Sequence, residues 1–350
     1  MDAKLLAIAV TMGEPMEGKN FRGKDYRGGF LAGGVFSGCD FSGALLQDAD
    51  IREAVFDQCV LTGAQLDRAN LRKVTLNRCT LDDSVMHKAN LIGAVVSECS
   101  LQRAHLAGAQ LAMALFSQST LDHAQMAFAD LESTNFTRCS LKNVCADDTR
   151  WVHAGILESD IEGLSWERAR MKRTTFFKTP LKRRSFVGLL LEGCQLNNTS
   201  LEGSSFTGVS LKQCNFSGSD LSGCDFTRAQ APNALFCGAF GKQVRFAGAN
   251  LQQALFTKVK FEEACFDACN LHQVHFAEAQ LPRALFRNAD LTYADFSQAN
   301  LQAVDANEAI MFRTVLHRAL TDDARFSDRA RALQTDAQKA AAEQWQPARA

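Results

Sequence analysis

Three hundred and fifty residues, 46% hydrophobic and 22% charged, carry enough apolar side chain to bury a core, which excludes an intrinsically disordered chain. Thirty-eight Lys and Arg against 39 Asp and Glu leave a formal net charge of −1, which excludes a strongly basic nucleic-acid binder and a polyacidic protein alike. No apolar run approaches the ~18 residues of a membrane helix.

In chain order, residues 1–20 come first. Leu5 to Val10 are apolar, but Asp2 stands where a signal peptide carries positive charge, and Glu14 and Glu17 come after. This segment is expected to be an N-terminal cap that covers the first coil. From Phe21 a period of five begins, and it never slips. Of the 60 positions taken every fifth residue from Phe21 to Leu316 (position i), 56 are Phe, Leu, Ile, Met, Val, Tyr or Trp. The exceptions are Ala146, Ala231, Gly241 and Ala306. The chain has 25 Phe against 2 Tyr and 3 Trp, and most of those Phe lie in this frame. Position i−2 is small, as in Cys39, Ala64 and Ala254, with Leu164, Arg184 and Leu189 as intruders. Position i−1 favours Asp and Asn, and 19 of the 23 Gly fall at i+2.

Five matches neither the 3.6 of a helix nor the 2.0 of a plain strand. On a short extended segment, i−2 and i point to one side and i−1 to the other. Gly at i+2 tolerates the bend that must come next. The path therefore closes after a few units and stacks on itself, with i on the axis. Cys39, Cys59, Cys79 and Cys99 recur at every fourth unit, which implies four units per coil and a column of cysteines. Between 201 and 300 all positions ending in 6 are Phe, so opposite faces match.

Regularity lapses between 142 and 190, where Pro180 and the three intruders fall, and an irregular girdle with a loop near 178–190 is expected. It returns from 191 to 316. Beyond 320 the period changes. Phe326, Ala330, Leu333, Ala337 and Ala340 are spaced 4-3-4-3, one face of a helix from Thr321 to Gln346, with Thr321, Asp322 and Asp323 at its start and Pro347 after it. Such a helix, through Phe326, Ala330, Leu333 and Ala337, either covers the open strand edge of the last coil or joins two copies into a homodimer.

Units such as Ala-Asn-Leu-Gln-Gln (249–253), Ala-Asp-Leu-Thr-Tyr (289–293) and Cys-Asp-Phe-Thr-Arg (224–228) resemble the A(D/N)LXX motif of the pentapeptide-repeat family. The resemblance implies an all-β fold, a right-handed quadrilateral parallel β-helix of about 15 coils with i and i−2 inward, ~70 Å long at ~4.8 Å per coil. The expected organisation is a cap over 1–20, one β-helix over 21–320 and a C-terminal helix and tail over 321–350.

Chemistry is sparse. Nine of the 12 Cys occupy the i−2 niche, where thiol acts as a compact apolar group, and so many unpaired thiols suit a reducing, cytoplasmic compartment. Cys265 and Cys269 lie on opposite sides of the chain and cannot share an ion. The seven His are expected to face outward, and His87, His105 and His123 to lie about 8 Å apart, too far for a common metal. No phosphate loop, nucleophile elbow or HExxH occurs, so neither catalysis, cofactor nor metal is expected. One charge run stands out: Arg168, Arg170, Lys172, Arg173, Lys178, Lys182, Arg183 and Arg184, with no acid between 168 and 184. It is either a solvated surface or the docking site of an acidic protein partner. The function expected is a non-enzymatic protein–protein interaction scaffold or adaptor. The resemblance adds one form of it, since free-standing bacterial members of this size accompany type VI secretion spike and effector genes. The alternative is a DNA mimic that binds DNA gyrase, as in quinolone resistance. That needs a dense negative surface, which the balanced charge does not offer.

Overall fold

Every residue two places after position i, from Gly18 to Asp323, turns the chain through a left-handed backbone conformation, with φ between 49° and 82°. Glycine does this without steric cost, as at Gly203 (φ 69°) and Gly248 (φ 67°). Elsewhere Arg, Lys, Glu, Gln, Asn and Asp are common there, as at Arg68 and Gln253, and the cost is met by the ladder that fixes each corner. In unit after unit the amide three residues after i closes a turn onto the i carbonyl, as from Ala44 to Phe41 at 2.9 Å.

The computed structural model describes residues 1–345, and the chain falls into two units, Met1–Pro180 and the residues from Leu181 on. Both are parallel β-solenoids built from coils of four repeats, and the coils number about 16 in all. In the first unit nine short strands, from Met16–Glu17 to Thr175–Phe177, form one parallel sheet in coil order, with Phe36 beside Phe56 and Leu76 beside Val96. Amides reach carbonyls of the next coil throughout, for example Phe41 to Val60 at 2.7 Å, and Val60 back to Cys39 at 2.9 Å. In the second unit the same ladder runs through isolated bridges such as Asn250 to Asn270.

Position i fills the axis of each unit: Phe36, Leu106, Phe246 and Leu281 are all fully buried. In the second unit the rings form two columns. Phe206, Phe226, Phe246, Phe266 and Phe286 stack at 4.8–4.9 Å between centroids. Phe216, Phe236, Phe256, Phe276 and Phe296 form the facing column and meet the first edge-on, as Phe236 meets Phe246 at 5.5 Å. Ala146, an exception at i, leaves room beside buried Trp151. The Trp151 indole N–H donates to Thr149 Oγ1 at 2.7 Å, and that hydroxyl donates to the Ala146 carbonyl.

The irregular zone departs from expectation. Phe176 is buried in the first unit, and Leu181, Phe186 and Leu191 are buried in the second, so the loop expected near 178–190 is absent. Leu164 and Leu189 point inward at 4% exposure each. Their column neighbours Val144 and Val209 also exceed alanine, so those columns already hold bulk.

The nine Cys of the i−2 niche are buried, whereas Cys145, Cys237 and Cys265 are half-buried. Burial pushes the Cys139 thiol up to about 11, and those of Cys224 and Cys269 up to about 12. Thiolate is the reactive form. A thiol reagent at neutral pH should therefore label the three half-buried cysteines of native protein and reach the other nine only in denaturant. Rapid labelling of more than three thiols in native protein would contradict this packing.

Both chain ends differ from the repeat. Helix α1 (Ala3–Thr11) begins at Asp2, whose carboxylate accepts the Leu5 amide at 2.9 Å, and it buries Leu6, Ala9 and Val10. The single long C-terminal helix is not formed. Arg325–Phe326 is a strand paired with Asp305–Ala306, Arg329–Arg331 is one 3₁₀ turn, and Leu333 pairs with Val315. Among the described residues of the tail only Ala337–Gln344 is α-helical (α2), with Asp336 rather than Thr321 as its N-cap. Phe326, Ala330, Leu333 and Ala337 thus share no helical face. Their 4-3-4-3 spacing is overridden because the ladder continues to compete for this backbone. Pro347, expected to end the helix, lies outside the described residues. His317 also corrects the reading of seven outward histidines. It is 2% exposed, accepts the Asp336 amide at Nδ1 (3.2 Å) and donates from Nε2 to Glu343 (3.2 Å).

Candidate functional site

A side chain at i−1, i+1 or i+2 points away from the axis, so each solenoid face displays rows of side chains one coil apart. Opposite charges at equivalent places on adjacent coils therefore meet. Arg68 binds Asp48, Arg103 binds Asp83 and Arg245 binds Asp225 at 2.6–2.8 Å. The guanidinium of Arg68 holds the Asp48 carboxyl below its usual range, and Arg103 does the same for Asp83. A carboxyl depressed on folding contributes stability above its unfolded pKa, and the contribution is lost as pH falls through the folded value. Thermal stability should accordingly hold through neutral pH and fall as pH drops below about 4. A midpoint unchanged between pH 5 and pH 2 would show that these ladders contribute nothing.

The same offset reshapes the basic run. In the first unit Arg168 binds Asp148 at 2.7 Å and Glu167 at 3.4 Å, and Lys178 binds Glu158 at 3.4 Å while its ammonium lies 5.2 Å from the exposed Phe177 ring. In the second unit Lys182 binds Glu202 at 2.8 Å. The stretch lacks acids in sequence, yet the neighbouring coils supply them. Arg168, Arg173 and Lys178 occupy three successive corners, so the first unit's cations wind around the coil and do not form one patch.

Arg170 and Arg173 remain. They flank inward Met171 on a single face and its corner, both are exposed, and neither has an ion-pair partner among the described residues. Lys172 is exposed beside them. In the second unit Arg183 sits exposed at a corner (φ 54°). Arg184 is half-buried at i−2, its amide donates to Ser204 Oγ at 3.1 Å, and burial lowers the pKa of its guanidinium.

Elsewhere the His87 and His105 rings lie 5.7 Å apart, closer than their sequence spacing implies, because the diagonal brings an i+1 and an i−1 position together. His87 Nδ1 is 2.9 Å from Asp67. Among the described residues no group of three or more His, Cys, Asp or Glu side chains is arranged to hold a metal, and no helix is long and apolar enough to cross a membrane.

The profile of the pentapeptide repeat region family matches residues 31–111 and 242–326, and that of pentapeptide repeats in eight copies matches 99–138 and 190–228. Among solved structures, a trypsin-treated form of QnrB1, a plasmid-mediated fluoroquinolone resistance protein, is 19% identical over 44% of this chain and 83% of its own, with a TM-score of 0.40. HetL, a pentapeptide repeat protein involved in heterocyst differentiation regulation in the cyanobacterium Nostoc sp. strain PCC 7120, is 18% identical over 96% of this chain and 98% of its own, with a TM-score of 0.18. A pentapeptide repeat protein of the Arabidopsis thaliana thylakoid lumen is 26% identical over 28% of this chain and 65% of its own, with a TM-score of 0.23. No curated protein matches.

Proposed function

The chain belongs to the pentapeptide-repeat family, and from that premise we propose that it is a non-enzymatic scaffold or adaptor that docks an acidic protein partner. The observation that carries this reading is the pair Arg170 and Arg173, exposed on one side of a coil whose other cations mostly have acids beside them. Guanidinium groups pair bidentately with carboxylates, and arginine is enriched where binding energy concentrates. Within this reading, the partner we propose is a bacterial type VI secretion spike or effector protein, a choice that rests on the family resemblance alone. A cytoplasmic location is proposed with it, on the 12 free thiols.

The DNA-mimic alternative is not favoured. It needs carboxylates displayed like phosphates, and Asp48, Asp83, Asp148, Asp225 and Asp267 are each bound by an arginine one coil away.

Partner recovered from the host should bind the Arg170→Glu, Arg173→Glu double variant about tenfold more weakly or worse, with the loss mainly in a salt-sensitive association rate. Neither side chain reaches the axis, so the thermal midpoint should not move. Calorimetry at two salt concentrations checks this. Unchanged affinity would remove the site, and strong inhibition of gyrase supercoiling by the wild type would replace the reading with the mimic.

A further inference from the structure

Gly241 is the one glycine at an axis position, and the structure shows what it permits. A Cβ placed there would lie 2.7 Å from the Ser222 amide nitrogen and 2.8 Å from the Leu221 carbonyl carbon, both backbone atoms. Strand Phe240–Lys242 has settled against the preceding coil, and the surface above it is dented into a groove of about 630 Å³. That volume falls within the ~300–1,000 Å³ of ligand sites. All of the groove lies within the second unit.

Its two banks are rows of side chains. Phe240 and Lys260 are paired in register on one, and Lys242 and Glu262 on the other, between Ser222 and Pro282. The Phe240 ring is 45% exposed, a large apolar group left uncovered at the rim of a concavity. Two of the three charged lining groups are cations. Glu262 is engaged by Lys242 at 2.9 Å and also by Arg283, whereas Lys260 has no ion-pair partner among the described residues. The groove thus offers an unneutralised ammonium beside an exposed aromatic ring.

We propose that this groove binds an extended acidic segment of a protein partner, which sets a carboxylate on Lys260 and an apolar side chain on Phe240. Charge complementarity selects an anion. The groove is broadly open to solvent, which selects an extended segment, because a compact small molecule would keep much of its surface wet. The inference rests on the scaffold reading only in taking a protein segment as the occupant, and it uses none of the basic run.

The test uses the full chain and three dye-labelled hexapeptides of alternating Leu–Glu, Leu–Lys and Ser–Glu, with affinity read by fluorescence polarisation. The Leu–Glu peptide should bind, and each of the other two at least about tenfold more weakly. Lys260→Glu and Phe240→Ser should each weaken the Leu–Glu peptide by about tenfold, while Lys260→Gln, which removes only the charge, weakens it by a smaller factor. The Arg170→Glu, Arg173→Glu variant should bind this peptide like the wild type, so failure here and failure of the Arg170 site are told apart. Equal binding of all three peptides, or unchanged affinity in both Lys260→Glu and Phe240→Ser, would overturn the proposal. So would self-association abolished by those two variants, which would make the occupant a second copy of the chain.

Discussion

Replacing Phe246 with alanine should destabilise the protein by about 3–5 kcal/mol, the cost typical of a buried aromatic truncated in a core that cannot collapse. The Phe246 ring stacks on Phe226 and Phe266 at 4.9 Å each and meets Phe236 and Phe256 edge-on at 5.5 and 5.6 Å. A fifth ring, Phe261, lies tilted at 6.1 Å. Each ring pair is worth about 0.5–1.5 kcal/mol beyond area burial, and one truncation removes all five. Coils above and below are fixed by ladders through Arg245 and Phe246, so they cannot close over the void. Phe246→Leu keeps most of the volume and should cost less than half as much. Because each coil contacts only its neighbours, the loss should appear locally first, as faster amide exchange in coils 226–266 than in coils 276–316. A shift below about 1 kcal/mol in urea unfolding would mean that the column relaxes and that the rings are not its keystones.

Much of this was legible because one number, five, governs both sequence and backbone. The axis residues, the nine buried cysteines and the two Phe columns all follow from the frame and a coil of four repeats. The charge ladders follow from the same offset, since Arg168 lies one coil beyond Asp148 and Lys182 one coil before Glu202, yet a run read along the chain hides partners that lie across it. Helix α1 gave little signal, because nine residues with apolar side chains on several sides carry no clear period. The tail misled for a sharper reason. Spacing of 4-3-4-3 fits a helix, but it says nothing of the unpaired amides of the last coil, and these captured residues 331–333 first. Gly241 was visible as an exception, although its consequence depends on backbone approach, which no side-chain pattern records.

The tail yields the other large effect. Ending the chain after Asp328 should cause aggregation, while ending it after Thr335 should leave a soluble, folded protein. The difference lies in what residues 329–335 satisfy. The Leu333 amide donates to the Thr314 carbonyl and the Leu316 amide to the Leu333 carbonyl, each at 2.8 Å, and the Arg313 amide donates to the Arg331 carbonyl at 3.0 Å. The Arg318 amide is accepted by Thr335 Oγ1 at 3.0 Å. Without this segment those groups form an open strand edge with Leu316 beneath it, a template for pairing with another chain. Loss of α2 alone removes less. Glu343 leaves His317 and Arg318, and Asp336 leaves His317 Nδ1, but water can replace all three contacts because the ladder below is intact. The longer truncation should therefore lower the thermal midpoint only slightly and remain the same size in light scattering as the full chain. If the chain ending at Asp328 were equally soluble, the 331–333 rung would not be what closes this edge. If the chain ending at Thr335 aggregated as well, the closure would belong to α2 and its contacts with His317.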